Sequence, residues 1–259
     1  MNENSNLLTS LLKRDQLFIF LGIFVLIAVS WLYLLNLNSS SQTSDLIMQD
    51  MMPQAASWNF NDAFSIFVMW AVMMIAMMLP SAAPMILIFS AVNKKRAEHG
   101  NEFVPTWIFL SGYVLVWIGF SILTTSAQWI LHYLALLSSQ LRVISPLLGG
   151  IILVGAGIYQ FTKIKNVCLK NCQTPFDFIT GNWRYGKKGA FVMGVKHGSY
   201  CLGCCWVLMM ILFFVGIMNL LWIALISIFI FAEKILLKTK WMSYTSGLIL
   251  ILSGLWIII

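Results

Sequence analysis

Residues His197 to Cys205, HGSYCLGCC, hold one histidine and three cysteines within nine positions. On a helix, positions i, i+4, i+7 and i+8 share a face, so His197, Cys201, Cys204 and Cys205 project in nearly one direction. Imidazole and thiolate suit Cu(I), Zn(II) or an iron centre, whereas hard ions such as Mg(II) want oxygen ligands. The other two of the 5 cysteines, Cys168 and Cys172, stand at i and i+4. They share a face if the preceding helix continues through them, and could then approach the same site. Cysteine is often only a small buried apolar residue, but that use does not explain why all five fall within positions 168–205. A second chemistry is open to the same residues. Cys201-Leu-Gly-Cys204 is a C-x-x-C pair, with Cys168 and Cys172 as exchange partners for thiol–disulfide chemistry.

Methionine occurs 15 times and unevenly. Met69, Met73 and Met77 recur at i, i+4 and i+8, and Met74 with Met78 forms a second row, so one helix would carry a broad thioether stripe. A stripe at helical spacing is the ordinary pattern of core packing, and thioethers are also ligands for Cu(I). Met48, Met51 and Met52, around Asp50, precede this helix. Thioethers followed by thiolates and an imidazole would make a ladder of rising Cu(I) affinity. Pro80 and Pro84 interrupt the striped helix and free backbone carbonyls that lipid cannot satisfy, with Ser81 placed to bond one of them. His99 and His132 read as solvated loop groups.

The elements that position these residues follow from composition. With 60% hydrophobic and 10% charged residues, the chain has too few polar side chains to cover a water-soluble globule. The expectation is an all-α, polytopic transmembrane helix bundle forming one integral membrane domain over 1–259. Runs long enough to cross a bilayer fall at 17–37, 64–91, 106–130, 144–162, 196–217, 219–236 and 241–259. They predict about seven spans. The boundary between the fifth and sixth, near Gly216, Met218 and Asn219, is the weakest, and its failure would leave six. The first run lacks a cleavage site of small residues and reads as a retained helix.

Basic loops stay in the cytoplasm during insertion. With the N-terminus cytoplasmic, all but Arg142 of the 16 lysines and arginines fall on that side. The net charge of +7 is then explained by topology, without a nucleic-acid partner. Residues 163–195 form a cytoplasmic loop bearing Cys168 and Cys172, and the helix after it starts near Lys196 with His197 at its entrance. Glu233, beside Lys234, reads as an interfacial ion pair rather than a proton relay. Asp62 would cap the second helix.

Three segments carry a resemblance: MWAVMMIAMMLPSAAPM, YQFTKIKNVCLKNC, and WRYGKKGAFVMGVKHGSYCLGCCWVLMM with the following VGIMNLLWIAL and AEK. Over about residues 65–235 the chain resembles a bacterial family of uncharacterised integral membrane proteins described as predicted metal-binding, with an HGxYCxGCCW motif. The resemblance implies a polytopic inner-membrane protein with a metal site at His197, Cys201, Cys204 and Cys205, joined by Cys168 and Cys172. An arginine expected after the second loop cysteine is Gln173 here, and the first and last helices lie outside the resemblance.

The leading functional expectation is a membrane protein that handles Cu(I), by transport or by delivery to a metallochaperone or metalloenzyme acceptor. Met51 and Met69 to Met78 would capture the ion and the cysteines receive it. No ATP-binding motif is visible, so movement would need passive flow, an ion gradient or trapping by the acceptor. The alternatives are a membrane thiol–disulfide oxidoreductase using quinone and a structural zinc or iron–sulfur clamp in an assembly protein. No catalytic residue set is identified.

Overall fold

The computed structural model describes residues 3–43, 60–100, 102–134, 136, 145–217, 219–236 and 240–259. These form helices and no strand: α1 (Glu3–Thr43), α2 (Phe60–Glu98), α3 (Thr106–Tyr133), α4 (Pro146–Gln160), α5 (Lys163–Gln173), α6 (Pro175–Gly181), α7 (Gly186–Met210), α8 (Leu212–Val215), α9 (Leu220–Ile235) and α10 (Lys240–Ile258). Local chemistry sets several boundaries. Ser145 caps α4, accepting from the Leu148 amide, and Pro146 supplies a preset first turn. Thr162 caps α5 and Asn219 caps α9 in the same way. Gly216, at φ +105°, ends α8 in a conformation that side chains disfavour, so the turn expected between the last two candidate spans of the core is present.

Among the described residues, five helices are long and apolar enough to cross a membrane: Leu17–Leu37, Phe60–Glu98, Thr106–Tyr133, Gly186–Val215 and Trp241–Ile258. Two of the seven expected spans differ. The run at 144–162 becomes α4, which meets α5 at a 63° bend, and the two count as a sixth span only if taken together. The run at 219–236 is α9, whose 16 residues reach about 24 Å against a hydrocarbon thickness of about 30 Å.

The segment expected as a loop, 163–195, is mostly helical: α5, α6 and the first turns of α7. The seventh helix therefore begins at Gly186, not near Lys196, and His197 sits about three turns inside it. Lys187, Lys188 and Lys196 carry enough charge to leave the apolar run without breaking the helix, and Lys196 bonds the Asn182 side chain at 2.5 Å. Asp62 lies in the first turn of α2 rather than at its cap position.

Close packing comes from small residues. On the α3–α7 seam, a Cβ added at Gly194 would stand 2.0 Å from the Phe109 carbonyl oxygen, and one at Gly112 would stand 2.3 Å from that of Phe191. Between α4 and α10, Gly157 faces Gly247 and Gly150 faces Gly254. The first helix packs on α2, and α5 lies against α7.

Candidate metal centre

The five cysteines, one methionine and one lysine meet where α7 is crossed by α2, α3, α5 and α9. The α7 side chains His197, Cys201, Cys204 and Cys205 are all buried, as the shared helical face requires. Cys204 and Cys205 each donate to the Cys201 carbonyl at 3.0 Å, a back-bond within the helix. From α5, which packs on α7, the buried Cys172 comes close to Cys201 and Cys204. The Cys168 sulfur lies against Gly203, 2.7 Å from where a Cβ would stand, so only glycine leaves room for it. The two cysteine-bearing segments therefore converge, through a helix bent away from α4 rather than one continuing it.

Three partners come from other helices. Met78 places its sulfur 3.7 Å from that of Cys205. The Tyr113 hydroxyl stands 3.2 Å from the Cys201 sulfur and also bonds the Met78 carbonyl at 3.1 Å. Lys234, buried near the end of α9, brings its Nζ to 2.9 Å from the Cys201 sulfur and 2.8 Å from Ser81 Oγ. Ser81 in turn donates to the Met78 carbonyl at 2.8 Å, which is not one of the two that the prolines free, those of Ala76 and Pro80.

His197 is 2% exposed, and among the described residues neither Nδ1 nor Nε2 has a hydrogen-bond partner. Its ring packs among Tyr113 at 5.5 Å, Phe178 at 5.6 Å and Phe109 at 6.2 Å. An imidazole buried in this way forfeits its hydration without compensation.

The thioether stripe divides. Met69, Met73, Met74, Met77 and Met78 are all buried in α2. Met78 meets Cys205, while Met69 and Met73 line a small cavity with Leu34, Leu37, Ile217, Leu220 and Ile223. Met48, Met51 and Met52 lie outside the described residues. His99 is exposed, its Nδ1 2.7 Å from the Lys95 carbonyl oxygen.

All five cysteines are free thiols. Among the described residues, no group of three or more His, Cys, Asp or Glu side chains is arranged to hold a metal ion as the side chains stand. The back-bonds turn the Cys204 and Cys205 sulfurs onto the helix itself. A change of χ1 between staggered rotamers would turn them away.

A family model described as a copper chaperone, PpoB2, matches residues 67–257. The chain belongs to the PpoB2 copper chaperone family. The match runs from α2 through α10, so the last helix, which the sequence resemblance left out, is part of the family's extent. No curated protein and no solved structure matches the chain. The family is one of copper handling, and the matched residues include the sulfur-rich site. Tyr113 and Lys234 escaped the sequence reading because a tyrosine in an apolar run reads as packing and a lysine at its end reads as topology. The one available signal was that Lys234 follows Glu233 inside the apolar stretch.

Proposed function

We propose that this chain is an integral protein of the bacterial cytoplasmic membrane that binds Cu(I) through His197, Cys201, Cys204, Cys205 and Cys172 and passes it to a protein acceptor. Cys168 stands at the edge of the same site. The observation that carries the reading is the buried His197, with both ring nitrogens unpartnered, on the helical face of three buried thiols. Met78 favours copper over zinc, since a thioether is an ordinary ligand for Cu(I) and a poor one for Zn(II). A cuprous ion held by two thiolates carries net negative charge, and the Lys234 ammonium beside Cys201 offsets it. Met69, Met73, Met74 and Met77 supply thioethers along α2 for an ion arriving at Met78.

Metal analysis of anaerobically purified protein tests this. Copper near one per chain is expected, and its loss when Cys201, Cys204 and Cys205 are all changed to serine. Unchanged copper in that variant sinks the proposal, and tightly held zinc or iron instead would support a structural clamp.

The contact of Cys172 with Cys201 and Cys204 favours one second reading, thiol–disulfide exchange. Two thiols would lose two protons and two electrons to an acceptor such as a quinone. Metal-free protein that cycles between dithiol and disulfide would establish it.

A further inference from the structure

The sulfur site is closed on one side by α5, and α5 is fastened by groups that take no part in binding. The chain turns by 63° between α4 and α5, at Phe161 and Thr162, so α5 lies across α7 instead of prolonging α4. Lys165, 0% exposed, projects from its first turn. Its Nζ donates to both carboxylate oxygens of Glu233, at 2.7 and 2.9 Å, and to the side-chain oxygen of Gln160, the last residue of α4. Ser243 of α10 donates to the same carboxylate at 2.7 Å. At the far end of α5, Gln173 Nε2 donates to the Glu233 carbonyl at 2.7 Å and to that of Leu236 at 3.3 Å. Both ends of α5 are thus tied to the last turn of α9.

We propose that the Lys165–Glu233 pair is a latch that holds α5 over the sulfur site and so positions Cys172, and with it Cys168, against the α7 cysteines. The proposal rests on the copper-binding reading for its consequence, but its geometry does not depend on it. Lys165 and Glu233 are positioning residues, since neither approaches a sulfur. Their neighbours say why α9 is the anchor: Glu233 holds α5 on one side of the helix, and Lys234, the next residue, meets Cys201 and Ser81 on the other. One turn of α9 therefore registers the arm against the site. A buried ion pair suits a latch, because it is strong while both partners are present and leaves an uncompensated charge when one is lost. Releasing it would let α5 swing about Phe161 and Thr162, taking the Cys172 and Cys168 sulfurs away from those of α7 and opening the site to an acceptor.

The test uses the full chain with Cys168, Cys204 and Cys205 changed to serine, leaving Cys172 and Cys201. Dithiodipyridine oxidises the two thiols to one disulfide and is itself reduced to two thiopyridines, so no metal enters the measurement. The bridge should form rapidly in this background. Lys165→Met and Glu233→Gln should each slow it by about tenfold or more, the size of a shift from a closed to a mostly open arm. The exchanged pair, Lys165→Glu with Glu233→Lys, should restore most of the rate. Gln173→Ala, which removes only the second tether, should slow it to a smaller degree and guards against a single variant failing to fold. Bridging that is unchanged in the single variants, or that stays slow in a folded exchanged pair, overturns the latch. Cu(I) affinity measured separately in the same variants with all five cysteines present divides the two claims. Slowed bridging with unchanged copper binding keeps the latch and removes the copper site from it. Unchanged bridging with lost copper binding does the reverse.

Discussion

His197 poses the sharpest question at the scale of one residue, because a buried imidazole with two idle nitrogens costs stability that packing alone could have avoided. His197→Phe should preserve the stack with Phe109, Tyr113 and Phe178 while removing the desolvation penalty, about 1–3 kcal/mol for an unsatisfied polar group. The apo-protein should then melt at the same temperature or higher, and Cu(I) affinity should fall, both measurable in detergent by thermal unfolding and anaerobic competition with a chromophoric chelator. A stability loss with undiminished copper affinity would mark His197 as a packing residue. Lys234 makes the complementary case. Lys234→Met should weaken Cu(I) binding by about 10-fold to 100-fold, the usual cost of removing a group that supports a ligand, while Lys234→Arg should retain most of it. Equal loss in both variants would mean that shape, not charge, is what Lys234 supplies.

At the scale of elements, the site depends on how closely α3 and α7 approach. Gly194 lets α7 lie against the Phe109 carbonyl, which in turn brings Tyr113 to Cys201. Gly194→Ala should destabilise the protein by about 1–3 kcal/mol, as overpacking does, whereas Gly119→Ala on α3, with open space around it, should be neutral or mildly stabilising. Chemical denaturation of the two variants side by side checks this, and similar stability for both would dismiss the seam. The proline-bearing helix is held together in a related way. Pro80 and Pro84 remove two amide donors, and hydroxyls gather on the neighbouring turn: Ser81 and Tyr113 on the Met78 carbonyl, and Ser227 on that of Met77. These bonds join α3 and α9 to the stretch of α2 that carries Met78, and α2 stays helical through both prolines.

The whole molecule has a sidedness that one contact makes testable. Arg96, near the end of α2, lies 4.4 Å from the centre of the Trp183 ring and donates to the Tyr185 hydroxyl at 3.3 Å. The basic segments at 94–96 and 184–188 therefore lie at one end of the bundle, as the distribution of lysine and arginine requires. Single cysteines at the exposed positions Lys95 and Lys188, in a background without the native cysteines, should label with a membrane-impermeant maleimide only in inside-out vesicles. Labelling from opposite sides would overturn the topology. At a deeper level, α4 ends at Gln160, α9 near Glu233, and α10 begins just before Ser243, and all three residues meet around Lys165. Helices α2 and α7 run on past this level, which is also that of Cys201 and Ser81. The sulfur-rich site thus sits where the short helices stop.

The helical class, most of the apolar runs and the ligand types were legible in the sequence because periodicity and hydropathy are local properties of a chain. His197, Cys201, Cys204 and Cys205 needed only helical spacing to share a face. Contacts between distant segments are not local. Nothing in the order of residues distinguishes Met78 from Met69, Met73, Met74 and Met77, yet folding sets Met78 beside Cys205 and turns Met69 and Met73 toward α1 and α9. The start of α7 was misplaced because hydropathy marks where a helix leaves an apolar medium, not where its hydrogen bonds end. Glu233 does form an ion pair, but a buried one rather than an interfacial one, and its partner Lys165 stands 68 residues away in a segment expected to be a loop. Sequence alone determined which chemistry the chain could perform. Tertiary structure decided which residues assemble to perform it, since a bend at Phe161 and a glycine at Gly203 bring the two cysteine-bearing helices together, and only packing in three dimensions uses both.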